Sequence, residues 1–319
     1  MGWISPFTLN RLGMLNMNRR NVDYIARYND RTSYPLVDNK LKTKLVVAEY
    51  DVKTPRLLQV VSQQHEIFHF REMSADLADF AIKPAKGSGG KGITVVTGRD
   101  GDEFVKASGA RIGVDVLERH LTNILAGLYS LAGASDVAIV ENLVQSTPDL
   151  ARYSFQGVPD IRIVVFQGYP VMAMLRLATR ASDGKANLHQ GAVGVGLGVG
   201  LDIATGRGLN AVQYNRPVLL HPDNGLTLEN LVIEDWETML IMAPHCYEAT
   251  GLGYMGVDLV VDAQQGPLLL ELNARPGLAI QMANGRGLRP RLQKVEALRR
   301  PHYSPEKRVK YAMAEFGYL

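Results

Sequence analysis

Apolar positions along the chain fall into short runs more often than into long helical stripes. Phe80–Pro84, Ile93–Thr97 and Val137–Val140 are brief and apolar, which predicts buried strands, the last of them ending at Glu141. Asp160–Phe166 and Val171–Leu177 predict two more strands around a turn at Gln167–Pro170, and Met255–Asp262 with Pro267–Ala274 predicts a hairpin. Helical spacing is rarer. Asp38 to Tyr50 reads as a helix capped by Asp38 or Asn39 and closed by Thr54-Pro55. Val114–Leu131 places Leu117, Leu121, Ile124, Leu125, Leu128 and Leu131 on one helical face. Leu228–Thr250 predicts a helix that Pro244 should break or kink, and the basic tail from Leu288 predicts another. Residues 1–37 read as polar, loop-like and basic in places, a poor fit to an independent domain. Strands mostly joined by hairpins, with helices between them, predict α+β lobes rather than a doubly wound parallel sheet.

Composition narrows the class without naming it. A chain of 319 residues, 46% hydrophobic, can bury a core in two lobes. A net charge of +3 without a block of like charge gives no footprint for nucleic acid. The single cysteine, Cys246, excludes an internal disulfide framework and suits a reducing compartment. The start lacks a cationic segment followed by an apolar stretch of signal-peptide length, and the most apolar stretch, Gly191–Ala204, is too short and glycine-dense to span a bilayer. The expectation is a cytoplasmic protein with no membrane insertion.

The segment KGSGGKG, residues 86–92, invites three familiar readings. Gly87, Gly89 and Gly92 satisfy G-x-G-x-x-G, but that dinucleotide fingerprint requires a helix next, and Ile93–Thr97 is a strand former. A Walker A loop needs Gly at 85 and Ser or Thr at 92, where the chain has Ala85 and Gly92. The protein-kinase glycine loop fits locally, yet no H-R-D or D-F-G follows. What remains is a β-hairpin tip with little side-chain bulk and backbone N–H groups free to approach phosphate oxygens, with Lys83 on the strand entering it. The plain alternative is a surface hairpin with ordinary lysines.

A second constellation is GYMGVDLVVDAQQGPLLLELNARPG. With residues 263–266 as the turn, paired positions sum to 529, so Asp258 lies opposite Glu271 and Asn273 follows on the same face. Facing carboxylates repel unless a cation lies between them. Two carboxylates and an amide carbonyl are hard oxygen ligands suited to Mg²⁺, whose shell a nucleotide's phosphates could complete. The alternative is a hairpin with its acids on the wet side.

Together these segments resemble the ATP-grasp superfamily, and within it the RimK-like glutamate ligases. DNKLKTK resembles the first-lysine segment through Lys40; FAIKPAKGSGGKGI is similar to the second-lysine strand and phosphate-covering loop through Lys83, Gly87, Ser88, Gly89, Gly90 and Gly92. VAIVENLV resembles the adenine hinge, implying that Glu141 accepts from the adenine amino group while the Asn142–Leu143 backbone pairs with the ring. DIRIVVF and VMAMLRLATRASDGKANLHQGAVG resemble the central segment through Asp160, Arg162, Arg176, Asn187 and Gly191. GVDLVVD and LLLELNARPGL resemble the metal-binding end through Asp258, Glu271 and Asn273. The match runs from about residue 38 to 282, its five motifs in the family's order.

The resemblance implies two α+β lobes clasping a nucleotide: an extension at 1–37, a small lobe with connecting helices at 38–140, a large lobe with the metal site at 141–285, and a basic tail at 286–319. It implies ATP and Mg²⁺, with Mn²⁺ as a substitute, and a ligase joining a carboxylate to an amine or peptide acceptor through an acyl-phosphate. In that scheme Arg176 faces the γ-phosphate, Arg162 and Arg275 lie nearer the carboxylate substrate, and Asp149 is the candidate ribose contact. ATP-grasp ligases usually carry a substantial domain ahead of the first lysine, where this chain has about 39 residues. That leaves room for a homo-oligomer whose partner completes the site. Residues 187–211 are unusually glycine-rich, fitting either a flexible lid or a closely packed strand.

Two rivals remain. An ATP-grasp fold can serve a phosphotransferase or a non-catalytic nucleotide-binding module. More remotely, His65-Glu66-x-x-His69 satisfies H-E-x-x-H, the zinc-protease signature, although nothing nominates a third ligand.

Overall fold

The computed structural model describes residues 5–87, 89–130, 133–182, 196–229, 231–298 and 303–318. They pack as two units. One comprises residues 38–44 and 54–144; the other comprises 1–37, 45–53 and 145–319, apart from the residues not described.

The smaller unit is built on a six-stranded sheet. Its strands are β1 (Leu57–Val61), β2 (Phe80–Pro84), β3 (Thr94–Asp100), β4 (Glu103–Lys106), β5 (Arg111–Ile112) and β6 (Ala138–Glu141). They lie in the order β1-β6-β2-β3-β4-β5, every neighbouring pair antiparallel. Helices Ile67–Ser74 and Val114–Leu125 bury Ile67, Phe70, Leu117, Leu121 and Ile124 against Phe80, Ile82, Val96, Phe104 and Val140. Phe80 sits edge-to-face with both Phe70 and Phe104, centroids 5.9 and 5.5 Å away, an arrangement that suits the ring quadrupoles. The second helix stops at Leu125 instead of Leu131, because the chain turns at Gly127 in the left-handed region and leaves Leu128 exposed.

The larger unit carries a seven-stranded sheet. Its strands are β7 (Asp160–Phe166), β8 (Tyr169–Leu177), β9 (Leu197–Leu201), β10 (Gly208–Gln213), β11 (Arg216–Val218), β12 (Tyr254–Asp262) and β13 (Gly266–Asn273). The order is β11-β10-β9-β8-β7-β12-β13, again antiparallel throughout. The central strands β7, β8 and β12 are buried almost throughout, which explains their near-continuous apolar sequence. Asp160, Arg162, Arg176 and Asp258 interrupt that run, and register aligns them. Asp160 pairs with Arg176, Arg162 with Asp258, and Asp258 with Glu271.

Two antiparallel sheets with interspersed helices meet the α+β expectation, with local departures. Residues 5–38 are not loop-like. They form short helical turns at Pro6–Arg11 and Met17–Tyr28, and bury Leu15, Tyr24 and Ile25; Tyr24 lies edge-on to Phe166 at 5.5 Å. Few apolar residues suffice here because packing rather than helical periodicity holds the segment. The helix expected from Leu228 begins at Trp236, after Asp235 adopts φ 51°, and runs on through Pro244 to Thr250. Burial of Met239, Leu240, Ala243 and Cys246 offsets the hydrogen bond that proline removes. Among the glycine-rich residues, Leu197–Leu201 is a closely packed strand: a Cβ on Gly200 would collide with the carbonyl of Ala283. Asn187, His189 and Gly191 lie outside the described residues.

Candidate functional site

In the smaller unit, β2 and β6 bring a carboxylate between two lysines. Ala81 pairs with Glu141, which makes Lys83 a diagonal neighbour of Glu141 on the same face. Lys83 is ion-paired to Glu141 Oε1, and Lys44 holds Oε2 at 2.8 Å. Burial pushes Glu141 up, but Lys83 and Lys44 more than offset it and hold its carboxyl below the usual range. Burial lowers Lys44 despite the opposing Glu141. Lys44 was not singled out from sequence, although its signal was present: it follows Lys40 by four residues on the helix Lys40–Ala48, so both share a face.

Lys40 reaches the glycine segment. Its backbone N–H donates to the carbonyl of Ala85 at 2.8 Å and its Nζ to that of Gly87 at 2.5 Å. Gly89, Gly90 and Gly92 all have φ between 64° and 75°, a conformation that L side chains resist. A Cβ on Gly92 would also meet the Tyr129 ring at 2.5 Å, and its carbonyl is 2.9 Å from His120 Nε2. The base of the segment is fixed by buried Asp136, which accepts from the backbone N–H of Lys86 and Val137 and from Ser130 Oγ. Ser88 lies outside the described residues. At the end of β6, the Asn142 N–H donates to the Arg56 carbonyl at 2.9 Å, so of the two hinge amides it is already engaged.

In the larger unit, the aligned charges form a continuous row. Arg162 donates through Nε and Nη2 to the two oxygens of Asp258, at 2.7 and 2.5 Å, a bidentate fork. Arg176 Nη2 lies 2.8 Å from Asp258 Oδ2, while Arg176 Nε donates to Asp160. Asn273 Nδ2 donates to Asp258 Oδ2 at 2.9 Å and approaches Glu271 Oε1 at 3.4 Å. Burial pushes Asp258 up, yet its two guanidiniums outweigh this and hold the carboxyl far below its ordinary value. The same carboxylates raise Arg176 against the burial that lowers it. Burial takes Asp160 up to about 6, with Arg176 opposing and the Asp258 charge adding to the rise. Gly256 makes room for the row, since a Cβ there would lie 2.9 Å from Pro276 and 3.6 Å from Arg162 Nε.

The Asp258–Glu271 pairing read from the sequence is observed, but by a different route. The turn is tighter by one residue, Asp262 pairing with Gly266, and a bulge between Asp258 and Leu259 restores the sum beyond it. Among the described residues the group between the two carboxylates is the Asn273 amide, its Nδ2 2.9 Å from Asp258 Oδ2 and 3.4 Å from Glu271 Oε1, while the arginines neutralise Asp258 from the β7 and β8 side. The donor set nonetheless suits a hard divalent ion: Asp258 is held ionised, and from the described residues its Oδ1 accepts one hydrogen bond of the two it can take. Among the described residues no group of three or more His, Cys, Asp or Glu could hold a metal.

Two other candidates stand apart from this row. Arg275 is exposed, its guanidinium 5.9 Å from the Tyr34 ring centroid. Asp149 is exposed in the short helix Pro148–Ala151, 3.9 Å from Arg152. The H-E-x-x-H residues have another use. His65 and Glu66 lie in a 3-10 turn ahead of the helix Ile67–Ser74, and Glu66 accepts from the backbone N–H of Ser62 and Gln63 at 2.6 and 3.0 Å. That is a capping contact rather than a poised base. Exposed His69 lies 3.6 Å from Glu72. No helix among the described residues is long and apolar enough to cross a membrane.

The fold has relatives of known structure. D-alanyl-alanine synthetase A from Vibrio cholerae O1 biovar eltor str. N16961 matches 90% of this chain and 67% of its own, with 12% identity and a TM-score of 0.50. D-cycloserine synthetase DcsG matches 98% of this chain and 81% of its own, with 16% identity and a TM-score of 0.46. The ATP-grasp ligase PsnB, complexed with minimal precursor, matches 84% of this chain with 13% identity and a TM-score of 0.44, and the matching part spans 61% of the PsnB chain. Identity this low speaks to fold alone, and of the three only D-alanyl-alanine synthetase A, at a TM-score of 0.50, bears on it. No curated protein matches significantly in sequence. A family model described as sugar-transfer associated ATP-grasp matches residues 19–297, which takes in both units and every charged residue of the two ion networks. The chain belongs to the sugar-transfer associated ATP-grasp family.

Proposed function

We propose that this protein is an ATP- and Mg²⁺-dependent, ADP-forming ligase that joins a carboxylate to an amine. The observation that carries the reading is the row Arg176–Asp160–Arg162–Asp258–Glu271–Asn273, which sets cation ligands beside guanidiniums on adjacent strands of an ATP-grasp chain. In this reading a substrate carboxylate attacks the γ-phosphoryl group of ATP to give an acyl-phosphate and ADP, and an amine then displaces phosphate. Phosphoryl transfer depends mainly on positioning and charge neutralisation, so the protein's contribution is to hold groups in place.

In this reading each residue has a task. Lys40, Lys83 and the N–H groups of the Gly87–Gly92 segment hold phosphate oxygens. Glu141 and Leu143, with Asn142 once its N–H leaves Arg56, take the adenine edge; Asp149 takes the ribose. Arg176 and Arg162 neutralise the phosphoryl and carboxylate oxygens, with Arg275 as an outer contact for substrate. Asp258, Glu271 and, once its amide turns its oxygen in place of Nδ2, Asn273 would hold Mg²⁺, which supplies charge neutralisation at the phosphates. The finer reading is an amino-acid ligase of the RimK-like kind, adding glutamate to a peptide, protein or small amine.

The test is turnover by purified protein with ATP, Mg²⁺ and pools of amino acids and peptides, read by ADP, phosphate and product mass. A ligase releases ADP and phosphate only when carboxylate and amine are both supplied. Phosphate retained on a product identifies a phosphotransferase, and tight ATP binding with no turnover in any pool overturns the ligase reading.

A further inference from the structure

The arginines of the charged row are not equivalently anchored. Arg162 sends both Nε and Nη2 to Asp258. Arg176 divides its donors, Nε to Asp160 and Nη2 to Asp258. Asp258 Oδ2 is crowded, accepting from Arg162 Nη2, Arg176 Nη2 and Asn273 Nδ2, one donor more than its two lone pairs serve well. A divalent cation at Asp258 adds a further positive charge beside two buried guanidiniums, and the contacts most readily surrendered are those on this shared oxygen. Arg162 then keeps only its Nε contact, to Oδ1, the oxygen on which a cation would compete with it. Arg176 keeps Asp160, which register places directly across the hairpin from it.

We infer that Asp160 is a positioning residue: it retains Arg176 by its Nε when Asp258 turns to a divalent cation, so that the released Nη2 edge is presented to an anionic oxygen of the substrates. The inference rests on the proposed Mg²⁺·ATP reading and goes beyond it by separating the roles of the two arginines. Asp160 itself touches neither substrate nor metal. Its position suits that role, for its side chain is 14% exposed, against 1% for Asp258. It lies at the first position of β7, where it can follow Arg176 without disturbing the strand's buried centre.

The test follows arginine Nε–H resonances of the full-length protein, assigned with Arg162→Gln and Arg176→Gln, during titration with AMP-PNP in the absence and presence of Mg²⁺. The expected result is a large Mg²⁺-dependent shift or loss of the Arg162 Nε signal, with the Arg176 Nε signal staying close to its starting position. In Asp160→Asn both signals move, Mg²⁺·AMP-PNP affinity by calorimetry falls about tenfold, metal-free AMP-PNP affinity is unchanged, and Asp160→Glu restores most of the loss. Undiminished Mg²⁺·AMP-PNP affinity in Asp160→Asn, or an equal loss with and without metal, overturns the positioning role while leaving the ligase reading intact. Failure of the wild-type protein to bind AMP-PNP at all overturns both.

Discussion

The two units solve the problem of buried charge in opposite ways. In the smaller one, a single carboxylate, Glu141, serves two lysines. In the larger one, two arginines serve Asp160 and Asp258, with Glu271 beside them. The first network therefore carries an excess of positive charge, and the second an excess of negative charge. Lysine is a compact point charge on a flexible stem, whereas arginine is a planar fork that locks two acceptors at once. The lysine set is suited to attract anionic oxygens and re-form around them. The arginine set keeps Asp258 ionised in a dry sheet, against the burial that would protonate it.

The comparison can be broken most forcefully at Asp258. Asp258→Ala strands the buried Arg162 guanidinium and leaves Arg176 on Asp160 alone, and should destabilise the larger unit by about 3–5 kcal/mol, read by denaturant titration. Losses below 1 kcal/mol would mean that the row is not the electrostatic unit described here. Glu141→Gln should cost the smaller unit less, about 1.5–3 kcal/mol, because the lysines can turn partly toward solvent. Hydrogen exchange that reports β2 and β6 separately from β7 and β12 would show which unit opens first.

Acid offers a gentler test of the same contrast. Glu141 is held below its ordinary value of 4.5, so its contribution is complete above that value and fades as pH falls through the depressed one. Thermal melts between pH 6 and pH 3 should show the smaller unit losing stability over that window, and Glu141→Gln should flatten the slope. The smallest effect belongs to Arg71–Glu118, a bidentate pair on the exposed face of the same unit. Arg71→Gln should leave the melting curve unchanged within error, and a clear shift would show that surface pairs matter here as much as buried ones.

How much of this was legible depended on whether a residue's partner lay within reach of a local rule. The facing of Asp258 and Glu271 followed from strand period and an assumed turn, and survived an error in that turn because the bulge compensated. The alignment of Asp160 with Arg176 was available to the same reasoning, since they flank a tight turn at Gln167–Gly168. The pairing of Arg162 with Asp258 was not, because β7 and β12 are joined through half the larger unit and no local spacing relates them. The Lys44–Glu141 contact was hidden in the same way, although its helix was read correctly. The N-terminal turns escaped because four buried apolar residues, Leu15, Tyr24, Ile25 and Val37, are too few and too irregularly spaced to make a periodic signal.

The bulge between Asp258 and Leu259 has a practical consequence. It divides the β12–β13 hairpin into an outer half that ends in the Ala263–Gln265 turn and an inner half that carries the charged row. The tip is closed on its own strand, the backbone N–H groups of Gln264 and Gln265 donating to Asp262 Oδ1 at 3.0 and 2.9 Å, so changes to those two side chains stay in the outer half. Gln264 and Gln265, both exposed, are thus a natural attachment point for a fluorophore carried on a side chain, one that reports on the charged row from a distance without rewriting it.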